Sequence, residues 1–392
     1  MRKVLVASQV ALSLVLVVGA LLFTRTLVNL GSSYLGFRPG SVLVTRIAFQ
    51  RPGDEKNFLP AWSELLRRVR TFPGVDQASL SSSALFTGEP PLGGIRTTAA
   101  KALPTDPTTG QLFVSTSYFQ TLGIKFVSGR DFESRDNDSS SPMCAVVNEA
   151  FVRKFFGDEN PLGRQLTKLA NAPVWTEIVG IVKDAKYGNL RENPPPMIYV
   201  SYGRITDWIP AQGHPGESMF LQVRGQQSLS SLTADLRREI GQRFTIGEVF
   251  RQQQLIDDTL VRERLLASVA SLFGGLALLL ATVGLYGIMS YAVVQRRQEL
   301  GIRMALGAAP KSILGLMLRD SAGIVGLGTI VGILAAAFST HLARALLFGL
   351  APNDPATFIA AFVVMFAASL AAAFIPAYRA AETDPMITLR HE

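Results

Sequence analysis

The sequence predicts a membrane protein of four transmembrane α-helices with a large α+β extracytoplasmic domain inserted between helices 1 and 2. Three observations carry that expectation. Of 392 residues, 48% are apolar and only 17% charged, an unusual balance for a purely soluble chain of this size. Four runs contain no Asp, Glu, Lys or Arg: Val4 to Thr24, Leu265 to Val294, Ser321 to Thr340 and Pro355 to Tyr378. Each meets the roughly 20-residue length a helix needs to cross the hydrocarbon core. From about Phe37 to Arg264, between the first two runs, the composition returns to that of a globular domain.

The first element is read as a transmembrane helix over residues 1–30. Met1-Arg2-Lys3 looks like the basic start of a signal peptide, but the apolar stretch exceeds the usual core of about 7 to 15 residues. "LLFTRTLVNL" also offers no small-x-small cleavage site, so an uncleaved helix is expected. The extracytoplasmic domain is expected over 38–250. "SVLVTRIAF" alternates as a strand, and Phe58, Leu59, Trp62, Leu65, Leu66 and Val69 recur at the spacing of an amphipathic helix. "QLFVSTS", "MCAVVN", "VWTEIVGIVKD", "PPMIYVSY" and "SMFLQVRG" read as strands, with "EAFVRKFF" and "SLSSLTADLRREIGQRF" as helices. "TGEPPLGG", "ESRDNDSSSP" and "RENPPP" read as loops. Residues 246–264 read as a helix running without a breaker into the second membrane run, so 251–294 is expected to be a stalk plus transmembrane helix 2. A basic loop over 295–320, helix 3 over 321–343, helix 4 over 355–378 and a tail over 379–392 complete the chain.

Charge asymmetry orients these elements. Arg2 and Lys3, the basic 295–320 loop, and the tail with Arg379 and Arg390 fall on one side of four crossings, which the positive-inside rule makes cytoplasmic. The third run is glycine-rich and contains one GxxxG spacing, Gly328 to Gly332; small residues let helix backbones approach closely in lipid. The expected use is packing within the chain rather than a dimer seam. The runs carry no ionisable residue in their interiors, so a proton relay or ion site of the kind that marks secondary transporters is not expected.

Several chemistries are disfavoured. The net charge of +8 is scattered rather than drawn into a stripe with aromatics, which argues against nucleic acid. The single cysteine, Cys144, rules out an intrachain disulfide and reads as part of a buried strand. His214, His341 and His391 have no ligand spacing, so no zinc site is expected. Asp131, Glu133, Asp136 and Asp138 lack the spacing of a calcium loop and read as solvated. No nucleophile, base or metal-protease signature appears, so no catalytic, cofactor-binding or metal residues are assigned and the chain is not read as an enzyme.

"RRQELGIRMALGAAPKSI", "LLFGLAPNDPATF" and the tail "PAYRAAETDPMITLR" resemble the MacB/FtsX-type permeases of ABC transporters. "VSTSYFQTLGIKFVSGRDF" and "AVVNEAFVRKFFGDENPLGRQL" resemble the MacB-like periplasmic core domain, and the likeness spans nearly the whole chain. Within that family it looks most like one half of the duplicated permeases of acidobacteria. The resemblance implies that 295–320 is a cytoplasmic coupling segment docking on an ATPase subunit. Glu299, Gly301, Ile302, Arg303, Ala305, Gly307 and Ala308 match the family pattern E-x-G-I-R-x-A-x-G-A. An amphipathic helix lying on anionic lipid is the other reading of these residues.

The chain has no G-x-x-x-x-G-K-[ST] loop, so no cofactor is expected and ATP is to be bound by a partner. This departs from MacB, whose ATPase is fused to the permease, and the short lead of Met1-Arg2-Lys3 is a second departure, as in the second half of a duplicated permease or a truncated product. The implied partners are a cytoplasmic ABC ATPase, a second permease unit (the same chain or another half) and, as an option, a periplasmic adaptor. The implied function is efflux or extraction by mechanotransmission at the bacterial inner membrane, with both termini cytoplasmic. The rivals are an FtsX-like relay to an extracytoplasmic hydrolase, and an orphan half-permease or sensor without an ATPase.

Overall fold

The computed structural model describes residues 2–51, 58–99, 104–169, 174–208, 216–295, 310–351 and 353–381. They form two compact units, one from residues 1–32 and 260–392 and the other from 33–259.

The second unit is the extracytoplasmic α+β domain. Its strands are β1 (Val42–Phe49), β2 (Val75–Ser81), β3 (Leu92–Thr97), β4 (Thr108–Val114), β5 (Phe126–Gly129), β6 (Cys144–Asn148), β7 (Gln165–Lys168), β8 (Thr176–Val182), β9 (Met197–Ser201), β10 (Ser218–Gly225) and β11 (Phe244–Arg251). Four of them make an antiparallel sheet in the order β11-β1-β10-β2, with Val42 opposite Arg224 and Phe49 opposite Phe244. A single pairing of Ser81 with Val114 passes from β2 to β4. Beyond it, β4-β3-β7-β8-β6-β9 closes on itself, because β9 pairs in parallel with β4. A closed ring leaves no free edge within it for another chain to pair with.

Helix α2 (Phe58–Val69) buries Phe58, Ala61, Trp62, Leu65, Leu66 and Val69, the face its periodicity marks out. With α6 (Leu229–Ile240), whose Leu232, Leu236 and Ile240 are buried, it builds the core of the antiparallel sheet. Phe49, Trp62 and Phe244 lie with ring centroids 4.9–5.0 Å apart, and the Trp62 indole N–H donates to the Gly216 carbonyl at 2.9 Å. Of the short helices, α3 (Tyr118–Leu122) packs on β2 and β10, α4 (Glu149–Phe155) packs on β6 and β9 of the ring, and α5 (Ile205–Trp208) follows β9. Asn148 caps α4, its side chain accepting from the Phe151 N–H at 3.0 Å.

Three expectations are corrected here. Residues 246–251 belong to strand β11, not to a helical stalk. Helix α7 follows over Gln252–Thr259, and Leu260 separates it from α8 (Val261–Gln295). The physical reason is tertiary: β1 takes β11 as a neighbour, and Ile246 and Val249 pack on the domain core, which outweighs local helix preference. The acidic loop is not uniformly solvated either. Asp136 is only 4% exposed, receives the Arg130 guanidinium at 2.7 and 3.1 Å and accepts from the Glu133 N–H at 2.7 Å. Arginine takes the lone pairs that a calcium loop would offer. Lastly, "LGG" of the proline-rich loop opens β3.

Cys144 is buried in β6. Burial, reinforced by the nearby Asp136 charge, pushes its thiol up to about 12, so it stays protonated and unreactive at neutral pH.

The first unit is a helical bundle of α1 (Arg2–Gly31), α8, α9 (Pro310–Leu342) and α10 (Pro355–Ala381). Each is long and apolar enough to cross a membrane. Helix α9 begins at Pro310, ahead of the expected 321, since a proline in the first turn is pre-set for helix and no breaker follows it. Helix α1 packs against α8 and α9 and less extensively against α10, which also packs on α8 and α9. Val10, Leu14, Val18, Leu22, Ala281 and Leu285 are among the side chains that make its core.

Candidate functional site

The residues assigned to ATPase coupling, Glu299, Gly301, Ile302, Arg303, Ala305, Gly307 and Ala308, lie outside the described residues. The helices that precede and follow them in the chain, α8 and α9, are described. Helix α1 runs antiparallel to α8. The Ser13 hydroxyl donates to the Ala277 carbonyl at 2.8 Å, and Thr24 meets Ser271 at 3.5 Å farther along. A Cβ on Gly284 would come within 2.6 Å of the Gln9 Oε1 atom, so this glycine leaves room for the amide.

Helix α9 runs parallel to α1. A Cβ on Gly328 would lie 2.7 Å from the Ala7 carbonyl and 2.9 Å from Val10 Cβ; one on Gly332 would lie 3.0 Å from Ala11 Cα and from a Leu14 methyl. Both glycines of the GxxxG spacing therefore face α1 of the same chain, where a side chain has no space. Gly323 and Gly326 have nothing within 4 Å of a built Cβ.

Since Gly328 is level with Ala7, five residues into α1, the part of α9 from Pro310 to about Gly323, about 20 Å at 1.5 Å per residue, projects past the start of α1. Gln295, at the end of α8, lies at that same end of the bundle.

At the opposite end sits a polar cluster that the charge-free runs did not reveal. Helix α1 continues through Arg25 to Gly31, so this arginine lies within its apolar span. Its guanidinium forms an ion pair with Asp354 and donates to the Thr357 hydroxyl at 2.7 Å. Asp354 stands just before α10 and accepts from the Thr357 N–H at 2.9 Å and its hydroxyl at 2.7 Å. That is an N-cap, with Pro355 in the first helical position. Thr357, together with Arg25, holds the Asp354 carboxyl below its ordinary range. The Asn29 amide reaches the Phe348 and Gly349 carbonyls at 3.4 and 3.5 Å. Thus α1 is tied to the α9–α10 connection by side chains from two successive turns.

Chemically, the arrangement binds helices to one another and contains no catalytic constellation. Among the described residues no group of three or more His, Cys, Asp or Glu side chains could hold a metal ion. Sequence reasoning missed Gln9, Ser13, Thr24, Arg25 and Asp354. The "PNDPATF" stretch did carry a signal for one of them, an Asp-Pro at a helix start.

Comparison with known proteins bears on both units. Residues 4–239, over half of the chain, match the MacB-like periplasmic core domain, and residues 271–385 match the FtsX-like permease C-terminal domain. The macrolide export ATP-binding/permease protein MacB of Acinetobacter baylyi is 25% identical over 71% of this chain and 42% of its own length. The protein of the same name from Syntrophobacter fumaroxidans is 25% identical over 94% of this chain and 57% of its own. The chain thus spans about half the length of these relatives. Of solved structures, the periplasmic region of MacB from Actinobacillus actinomycetemcomitans is 16% identical, with 57% of this chain and 94% of that one covered at a TM-score of 0.38. With a MacB-like core domain joined to an FtsX-like set of membrane helices, the chain belongs to the MacB/FtsX-type family of ABC permeases.

Proposed function

We propose that the chain is the permease subunit of an ABC-type efflux or extraction system that works by mechanotransmission. The observation that supports this best is that α8 ends and α9 begins at the same end of the bundle, on either side in the chain of the residues with the family's coupling pattern. A separate cytoplasmic ATPase docks on Glu299, Gly301, Ile302, Arg303, Ala305, Gly307 and Ala308. Small residues allow close approach there, Ile302 supplies an apolar contact, and the cations meet acidic partner groups. ATP is bound and hydrolysed by that partner, and the permease chain catalyses no reaction.

ATPase dimerisation brings two permease units together, either two copies or one copy and a different half. Helix α8 leaves Leu265, Leu272, Phe273, Leu276 and Leu280 exposed in the single chain, an apolar face for lipid or a second unit. The packed seams around α1 make each bundle move as a block, so the response is a shift between two packed arrangements. The external domain then acts on substrate, with an adaptor as an optional partner. The chain lies in the bacterial inner membrane with both termini cytoplasmic, as the positive-inside rule requires.

A relay to an extracytoplasmic hydrolase is the second reading. It is favoured by bundle seams whose polar groups are already engaged with one another, such as Ser13 with Ala277 and Arg25 with Asp354, rather than lining a pore.

The test is affinity capture of the full-length chain from solubilised host membranes, beside a Gly307→Arg variant. Co-capture of an ATPase by the parent and its loss with Gly307→Arg are expected. Retention of both the ATPase and transport by Gly307→Arg would refute coupling through this segment, whereas a hydrolase bound to the external domain with efflux unchanged would select the relay.

A further inference from the structure

In the extracytoplasmic domain the first residues of β3 and β4 and the loop ahead of β9 border a cleft of about 250 Å3 that the permease reading does not use. Two proline-rich loops wall it, Glu89-Pro90-Pro91 ahead of β3 and Pro194-Pro195-Pro196 ahead of β9. Both are fastened to the start of β4. The Gly110 N–H donates to the Pro196 carbonyl at 2.9 Å and the Gln111 N–H to the Pro91 carbonyl at 2.8 Å. The Asn148 amide also holds the Pro195 carbonyl at 2.8 Å. Walls fixed in this way need little ordering when a ligand enters, which favours affinity.

Five charged side chains line the cleft: Glu89, Asp106, Lys154, Lys186 and Glu192. Two of them satisfy each other, since the Lys154 ammonium lies 3.2 Å from the Asp106 carboxylate and donates to the Thr108 carbonyl at 2.8 Å. The Thr108 hydroxyl and N–H, with Lys154, hold the Asp106 carboxyl down to about 2, so that pair is charged and internally balanced at neutral pH.

Lys186 is set deep, 8% exposed, with its ammonium donating to the Leu190 carbonyl. Burial lowers its pKa, and an incoming carboxylate would reverse that shift by favouring the charged form. Glu89 and Glu192 are exposed, and Glu192 accepts from the Asn189 amide at 3.4 Å. Lys186 thus lies at the buried side of the lining, and Glu89 and Glu192 at its exposed side. A purely cationic ligand would meet Lys186, and a purely anionic one would meet Glu89 and Glu192. A molecule with a carboxylate at one end and an ammonium at the other suits both. Its size is bounded too, because drug-sized ligands occupy roughly 300–1,000 Å3.

We propose that this cleft binds the zwitterion of a free amino acid or dipeptide, the ligand's carboxylate directed to Lys186 and its ammonium to Glu89 and Glu192. The site belongs to the extracytoplasmic domain alone, so binding requires neither ATP nor an ATPase and can fail or succeed independently of the coupling reading.

The experiment is calorimetric titration of the full-length chain in lipid nanodiscs, without nucleotide, with three probes at millimolar concentration. These are glycylglycine, its N-acetyl form lacking the ammonium, and its C-terminal amide lacking the carboxylate. Glycylglycine is expected to bind, and each capped form to bind at least about tenfold more weakly, the loss of one charge-assisted hydrogen bond. Glu89→Gln, an exposed position, is expected to weaken glycylglycine by a similar factor with unchanged thermal unfolding. Lys186→Met is expected to abolish preference for the free carboxylate. Absence of glycylglycine binding, equal binding of the three probes, or unaltered affinity in Glu89→Gln would each overturn the proposal.

Discussion

Arg25 and Asp354 show how one cluster divides its energy between two jobs. Arg25→Ala removes the ion pair and the bond to Thr357, whereas Asp354→Ala removes the ion pair and the cap of α10. The N-cap that Asp354 gives α10 is worth ~1–2 kcal/mol. Asp354→Ala should therefore destabilise the detergent-solubilised bundle more than Arg25→Ala does, and Asp354→Asn, which still caps, should fall between parent and Ala. Thermal unfolding of the three variants checks the order; a larger loss from Arg25→Ala would mean that the ion pair dominates. Because the folded Asp354 carboxyl sits below its ordinary range, its contribution is complete above the unfolded value of about 3.9. It is lost as pH falls through the lower folded value, so the cluster should not respond between about pH 5 and 8.

Arg130 and Asp136 form the corresponding pair in the external domain, and here the sign can be inverted. Burial raises the Asp136 carboxyl, but bonds from Arg130 and the Glu133 N–H outweigh it and leave it lowered. Stability from this group is present near neutral pH and lost in acid. In Arg130→Ala the burial remains without the cation, which costs roughly 3–5 kcal/mol at neutral pH. The Asp136 pKa should then rise above its unfolded value, so this variant should gain stability as pH falls from 7 to 5 while the parent does not. Denaturant unfolding at the two pH values, followed by tryptophan emission, decides the matter; parallel pH profiles would contradict it.

At the scale of elements, the glycines of α9 separate into two sets that the sequence alone does not distinguish. Gly328 and Gly332 contact α1, whereas Gly326 faces open space. Replacing either kind by Ala gains similar helix propensity, about 1 kcal/mol, so any difference reports the contact. Gly326→Ala should be neutral or stabilising in a detergent unfolding assay, and Gly328→Ala should lose ~1–3 kcal/mol from overpacking. Equal effects would show that the α1–α9 seam is looser than its geometry.

Helix α2 was legible because six buried side chains repeat at helical spacing within one short stretch. The four spans were legible because absence of charge is a local property. Strand β11 was not, since its partner β1 lies some two hundred residues earlier and only that pairing makes "IGEVFR" extended. Arg25 failed for the same reason, its acceptor being 329 positions away. Gln9 and Ser13 left no trace because isolated uncharged polar residues do not disturb an apolar run. Of the coupling pattern, the sequence carries the residues and the structure describes only the helix ends that flank them.

For the whole molecule, these findings give a bundle whose first helix touches each of the others and a globular unit inserted after that helix. Polar groups lie at both ends of α1, Gln9 against α8 and Arg25 against the α9–α10 connection. The helix that leads into the external domain is thus held along its length by the rest of the bundle. The external unit has its own core, centred on Trp62 and the strands around it, and its closed ring presents no pairing edge of its own.

The place of β1 between β10 and β11 also governs biogenesis. As the chain emerges across the membrane, the strand exported first must wait for the two exported last, and its sheet cannot assemble in the order of synthesis. Non-local pairing of this kind is slow and leaves apolar strands open to wrong partners in the meantime. A product cut short before Arg251 would present β1 with a missing neighbour on the far side of the membrane. The sheet's oldest strand is sealed only by the arrival of its youngest.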